Sequence, residues 1–377
     1  MPSATASAKR MMSARVESWA TKNSGFFPRR SNSGSATAKV QSARRCKPAI
    51  GSGGAEKRGD AATSEATTRP GRYPPAVRTR RLGTDGPEVS IVGLGCNNFG
   101  GRVDLNGTRA VVDAALDAGV TLFDTADIYG GGRSEQFLGE ILEGRRDRVV
   151  LATKWGSQTG GEPGGAPEYI RKALEASLRR LRTEWIDLYQ HHTPDESTPI
   201  EETLWGLNEL VREGKVRWIG SSNYSPAQVQ EADAVARANG WRRFVSAQNE
   251  YSLLERDAEA ELLPTCASLG IGVLPYFPLA SGLLTGKYRR EQPPPAGTRL
   301  HGHQIAAEDL DRVEELERYA AERRLTLLDV AIGGLLAQPA LASVIAGATR
   351  PEQVRANVAA GDWQPSRDDL AALNEIR

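Results

Sequence analysis

Polar residues interrupt short apolar runs at recurring points along the chain: Asp124 with Tyr129, Lys154, His191-His192, Ser222-Asn223 and Gln248, with Tyr276 and Arg350 further on. Taken singly, each has an ordinary reading. An aspartate after a strand caps a turn, a rim lysine is solvated, a buried histidine is bonded within a core, and a tyrosine packs. Taken together they suggest chemistry. A lysine at a strand end is costly to desolvate unless a carboxylate pairs with it, and Asp124 on the preceding run supplies one. An ammonium about 4 Å from a phenol, at an effective dielectric of about 20, favours the phenolate by about 4 kcal/mol. That is enough to lower a phenol pKa of about 10 by up to three units. The pattern predicts a tyrosine general acid, Tyr129, tuned by Lys154 and Asp124.

These residues need elements that bring them to one place. Apolar, β-rich runs recur at IVGLG (91–95), LFDTA (122–126), VVLATK (149–154), WIDLYQ (185–190), VRWIGSS (216–222), FVSAQ (244–248), GVLPYF (272–277) and ASVIAGA (342–348). Helical patterns lie between them, several ending in Gly, the usual C-terminal stop. Eight strands alternating with helices predict a single (β/α)8 TIM barrel over 77–377, in which strand C-terminal ends share one functional face. Two short strand-like pieces around Asp85-Gly86 predict an N-terminal β-hairpin. A doubly wound open sheet would want a Gly-rich phosphate turn after its first strand. The turn Gly93-Leu94-Gly95-Cys96-Asn97-Asn98 lacks the third glycine.

Composition narrows the classes. The chain has 377 residues with 48 basic and 47 acidic side chains, a net charge of +1, which argues against a nucleic-acid binder. No window has the run of apolar residues needed to span a membrane. Cys46, Cys96 and Cys266 are scattered, with neither a disulfide framework nor a metal-ligand spacing, and no metal is expected. The charge is uneven. Residues 1–76 carry 14 basic and four acidic side chains, whereas 77–377 carry 34 and 43. The first 76 residues are Ser-, Ala- and Gly-rich without apolar periodicity, and they are expected to be disordered. Three readings suit them: an upstream start read through a true start near Val77, an organellar transit peptide, or a basic tail that touches polyanions. With no secretory signal, the expected location is cytoplasmic, or a plastid or other organelle under the transit reading.

The motifs resemble those of the aldo-keto reductases. Phe123-Asp124-Thr125-Ala126-Asp127-Ile128-Tyr129-Gly130 is similar to that family's Asp-and-Tyr motif, Lys154 in LATKWG to its lysine, and Asp187 to Asp195 to its histidine motif. His192, two residues before Pro194, matches the catalytic histidine, and His191 stands where the family usually has an apolar residue. Gly214 to Asn223 resembles the strand whose Ser-Asn pair binds nicotinamide, and Gln248 matches its glutamine partner. The resemblance runs from about 77 to 363.

It implies an NADP(H)-dependent reductase of aldehydes or ketones, with a small-molecule carbonyl as substrate. Tyr129 would protonate the developing alkoxide, Lys154 and Asp124 would tune Tyr129, and His192 would polarise the carbonyl. The cofactor would be held by Ser222, Asn223, Gln248, Tyr276, Leu279, Ser281, Gly347, Arg350, Gln353 and Asn357, with Phe277 replacing a small polar residue of the family. Gly347-Ala348 replaces a Lys-Ser pair, so Arg350 is the main cation for an adenosine 2′-phosphate. Trp155 and Asn97 are expected to line the carbonyl pocket, and 287–304 to cover the cofactor. Two other functions share these motifs: a sugar or alcohol dehydrogenase working oxidatively, and a regulatory subunit like the potassium-channel β subunits.

Overall fold

The computed structural model of the chain describes residues 77–157 and 164–376. The expected disordered extension, 1–76, lies outside the described residues. The described residues open with the expected antiparallel hairpin, β1 (Thr79–Arg81) and β2 (Glu88–Ser90), with Thr79 opposite Ser90. Its turn lies flat against the barrel floor, where the Thr84 N–H donates to the Gly270 carbonyl at 2.7 Å. Gly83 permits this. Its φ is +66°, and a Cβ there would stand 2.7 Å from the carbonyl oxygens of Gly270 and Val245. Leu82 and Val89, both fully buried, fill the floor together with Leu122, Ala152, Leu188 and Leu274.

Eight parallel strands form the barrel: β3 (Val92–Gly95), β4 (Leu122–Asp124), β5 (Val150–Trp155), β6 (Ile186–His191), β7 (Val216–Ser222), β8 (Phe244–Gln248), β9 (Gly272–Val273) and β10 (Val344–Gly347). They pair in chain order, with β10 beside β3. The ring closes through Val273, whose N–H donates to Ala340 O at 2.8 Å and whose carbonyl accepts from Ala342 N–H at 3.1 Å. The (β/α)8 expectation holds. The run expected over 272–277 is cut to two residues. Pro275 has no N–H to give a neighbour, and Phe277 turns into the left-handed region at φ +51°.

Helices α1 (Leu105–Asp117), α2 (Arg133–Ile141), α3 (Pro167–Leu181), α4 (Ile200–Arg212), α5 (Pro226–Asn239) and α6 (Leu262–Leu269) each return the chain to the next strand. After β9 come α7 (Ala307–Glu322) and α8 (Leu327–Leu336), and after β10 come α9 (Pro351–Ala360) and α10 (Arg367–Glu375). Apolar spacing decides which face they bury: Ile170, Leu174 and Leu178 of α3, and Leu204, Leu207 and Leu210 of α4. Capping boxes start α5 (Ser225 with Gln228) and α8 (Thr326 with Asp329).

The strand register positions the site. Lys154, Gln190, Gly220 and Ser246 lie side by side in one row, and Trp155, His191, Ser221 and Ala247 in the next. Successive side chains on a strand point to opposite faces. The first row faces the barrel lumen and the second faces the helices. Gly220 keeps the lumen row open, since a Cβ there would stand 2.1 Å from Ser246 Oγ.

Candidate active site

Lys154 is the centre of the barrel mouth. Its side chain is fully buried, and its ammonium donates to Asp124 Oδ2 at 2.6 Å, Thr125 O at 2.9 Å and Tyr129 Oη at 3.5 Å. Burial alone would pull the Lys154 pKa down, but Asp124 and Tyr129 outweigh it and raise it above the ordinary value. The second Asp124 oxygen, Oδ1, accepts from Gln248 Nε2 at 2.9 Å and Gln190 Nε2 at 3.2 Å. A buried carboxylate with a cation on one oxygen and two amide donors on the other has both oxygens satisfied.

The turn between β4 and α2 carries Tyr129. Three left-handed glycines follow it, Gly130, Gly131 and Gly132, at φ 60°, 68° and 87°. Gly130 lies so close to the first loop that a Cβ would stand 2.6 Å from Phe99 O. The Tyr129 ring meets His192 edge-on, with centroids 6.0 Å apart. Burial pushes the Tyr129 pKa above its ordinary value, and the lowering by Lys154 only partly offsets this. The expectation of a phenol tuned well below its usual value is therefore corrected: desolvation outweighs the ammonium, and Tyr129 stays neutral. His192 is pushed well below its ordinary value, first by burial and then by Lys154 and His191, so it is a neutral imidazole.

On the facing side, Asn223, at φ +62°, donates to His192 O at 2.8 Å and accepts from the Tyr276 hydroxyl at 2.8 Å. Ser222 Oγ accepts from the same Asn223 amide at 3.2 Å. The Ser222, Asn223 and Tyr276 side chains thus form one bonded group beside His192. Gln248 lies opposite Ser222 in the strand register, but its amide nitrogen is given to Asp124. Leu279 and Ser281 lie on a loop where Phe277, Ala280 and Ser281 all hold positive φ, a concentration of backbone strain beside the site. At the eighth strand end, Arg350 is exposed at the start of α9 and makes no ion pair among the described residues. Gln353 Oε1 is engaged, accepting from Thr349 N–H at 2.8 Å, while Asn357 is buried on the same helix and Gly347 is exposed above it.

Two expected substrate contacts part company. Asn97 is at the mouth, where Oδ1 accepts from Arg299 at 3.4 Å. Trp155 is not. It is fully buried, donates from Nε1 to Gly164 O at 2.9 Å, and stacks between Tyr189 and His191 with centroids 4.3 and 4.9 Å away. Its register row faces the helices, which takes it out of the carbonyl pocket. His191 shares that row, with Nδ1 2.9 Å from the Tyr224 hydroxyl, and burial lowers its pKa to about 4.

The sequence reading missed three cations. Arg102 from the first loop, and Lys287 and Arg299 from the loop after β9, gather at the rim, and none has a carboxylate partner among the described residues. Arg102 bonds Gly297 O, Arg299 lies 5.3 Å over the Phe277 ring, and the Lys287 ammonium occupies the space that a Gly282 side chain would fill. Burial, then their mutual repulsion, lowers the Lys287 and Arg299 pKa values. Like charges held together without counter-charge fit a polyphosphate cofactor. The signal was present in the basic residues of 287–304, which was read only as a covering loop.

The model of the aldo/keto reductase family matches residues 91–377. The chain is 37% identical to "Probable aldo-keto reductase 1" of Glycine max, covering 79% of this chain and 88% of that one. It is 37% identical to "Uncharacterized oxidoreductase YrpG" of Bacillus subtilis (strain 168), covering 78% and 94%. It is also 34% identical to "Probable voltage-gated potassium channel subunit beta" of Oryza sativa subsp. japonica, covering 77% and 92%. With the family model spanning most of the chain and relatives this similar along nearly their full length, the chain belongs to the aldo/keto reductase family of oxidoreductases.

Proposed function

We propose that the protein reduces small aldehydes or ketones to alcohols with NADPH, and that Tyr129 is the general acid. The observation that carries this is the buried Lys154 ammonium held between Asp124 at 2.6 Å and the Tyr129 hydroxyl at 3.5 Å. The nicotinamide, when bound, supplies the hydride. The chain's own residues do the rest. His192, neutral and edge-on to Tyr129, donates to the carbonyl oxygen and orients it. Tyr129 gives its proton to that oxygen as negative charge develops there, and Lys154 stabilises the phenolate left behind. Asp124 fixes the ammonium, and Gln190 and Gln248 fix Asp124. Ser222, Asn223 and Tyr276 form the wall for the nicotinamide. Arg102, Lys287 and Arg299 face the pyrophosphate, and Leu279, Ser281, Gly347, Gln353 and Asn357 complete the cradle. Arg350, exposed at the start of α9, suits a 2′-phosphate.

The test is a panel of aldehydes, ketones and sugars assayed with purified protein and NADPH or NADH, followed by loss of nicotinamide absorbance. Turnover of no member with either cofactor refutes the reading. The likeness to channel β subunits raises a regulatory alternative. Among the described residues, however, Trp205 is the one large apolar side chain that is well exposed, at 49%, and a single tryptophan makes no docking stripe.

A further inference from the structure

A second group of buried ionisable side chains lies on the helix side of β5, behind the Asp124–Lys154 pair. Glu135, fully buried, accepts from Thr153 Oγ at 2.7 Å and from Arg180 Nε at 2.6 Å. Both of its oxygens are engaged. Asp127 stands beside it with Oδ1 buried and without a hydrogen-bond partner, and the Tyr189 hydroxyl of β6 is buried in the same condition. The backbone ties this group to the chemistry. Asp127 N–H donates to Lys154 O at 3.1 Å and Thr125 N–H to Ala152 O at 2.9 Å, so the segment from Asp124 to Tyr129 is laced to β5. Lys154 is thus gripped by its ammonium from one face and by its carbonyl from the other.

We propose that Asp127 is a positioning residue of the reduction site: it holds a proton in the working protein, and losing that proton slackens the turn that sets Tyr129 against Lys154. An ionised Asp127 would put a second negative charge next to Glu135, whose guanidinium partner is already engaged, and would leave the buried Oδ1 charged and without a donor. The groups that face it are Lys154 from β5, Tyr189 from β6, Glu135 from α2, Arg180 from α3 and the Ile128 N–H of its own turn. Burial, then Glu135, push the Asp127 pKa up to about 7, against the pull of Arg180, Ile128 N–H and Lys154. The proton is therefore present in acid and lost as the pH passes neutrality.

Two measurements on the full chain test this. The kinetic one rests on the carbonyl-reductase reading. Wild-type kcat should fall by about threefold or more between pH 6 and 8, and Asp127→Asn, a permanent mimic of the protonated side chain, should lose that fall. A merely structural Asp127 would give a variant slower by the same factor at every pH, with the inflection kept, and that result overturns the proposal. The second needs no turnover. A carboxyl whose folded pKa is raised binds its proton more tightly folded than unfolded, so the Asp127 contribution to wild-type stability declines as pH rises from about 4 to 7, whatever other groups add. The Tm of Asp127→Asn without cofactor should gain on wild type across that window, by roughly 5 °C. If no carbonyl is reduced, the functional reading fails separately, and a Tm difference that does not vary with pH still sinks the proposal. Should Asp127→Asn not fold, Glu135→Gln asks the same question. Removing the neighbouring charge must move both inflections to lower pH, and unmoved inflections overturn the assignment.

Discussion

Gln248 reaches Asp124 from the opposite wall of the barrel. The two residues end β8 and β4, four strands apart in a ring of eight, and the Gln248 amide N–H donates to Asp124 Oδ1 at 2.9 Å. The bond crosses the lumen at the level of the Lys154 ammonium. The carboxylate that steadies the lysine is itself steadied from across the mouth.

Gln248→Leu should therefore do more than remove a cofactor contact. A hydrogen bond to a charged group contributes about 1.5–3 kcal/mol, and Gln190 remains as a donor to Asp124. The expected outcome is a Tm lower by several degrees, together with a reduced kcat. A variant with unchanged Tm and a raised Kd for cofactor would place Gln248 in the cofactor wall alone.

Tyr129→Phe deletes one oxygen and keeps the ring that meets His192. General acid catalysis contributes about 10²–10⁴ in rate, so kcat should drop at least a hundredfold while NADPH fluorescence titration and Tm stay close to wild type. Near-normal kcat on the best substrate would remove Tyr129 from its assigned role.

Lys154→Met should be equally slow but unstable as well. It leaves Asp124 buried without its cation, and breaking a buried pair by removing one partner costs about 3–5 kcal/mol. Thermal unfolding separates the two variants: Tyr129→Phe unchanged, Lys154→Met many degrees lower. Matching melting temperatures would mean that Asp124 finds another way to be satisfied.

The cations of the rim should divide by cofactor. Arg350→Ala should weaken NADPH binding about ten- to hundredfold and leave NADH binding nearly as it was, because only NADPH carries the extra phosphate. Arg299→Ala should weaken both alike, since the pyrophosphate is common to them. Selective loss of NADPH binding in Arg299→Ala would move the 2′-phosphate to the loop after β9.

His191 sets an acid limit. Its folded pKa, about 4, lies below the usual 6.5, so the unfolded chain takes up the proton first as the pH falls. Stability from this residue is full above about 6.5 and is lost progressively toward pH 4, the opposite slope to that of Asp127. His191→Phe keeps a ring to stack on Trp155 and should flatten the Tm profile over that window. If its profile parallels wild type, the acid loss arises elsewhere.

The strand runs and the polar residues at their ends were legible because burial forces β-rich runs to stand out and the rim forces them to end in polar groups. What failed was a matter of faces. Trp155 follows Lys154 directly, and alternation along a strand puts neighbours on opposite sides. A lumen-facing lysine already implied a helix-facing tryptophan. By the same rule Gln190, two residues before His192, was readable as a lumen residue. The Tyr129 pKa could not be read so, because desolvation depends on how completely the folded mouth excludes water. Arg102 lies 185 residues before Lys287 and 197 before Arg299 in the chain, and only closure of the ring brings it to them.

The hairpin that stops the barrel floor has a consequence for traffic. With Leu82 and Val89 packed on Leu122, Ala152, Leu188 and Leu274, that end of the lumen is filled by side chains. The Lys154 ammonium is closed off from below, and the ends of the strands are left as its one side of approach.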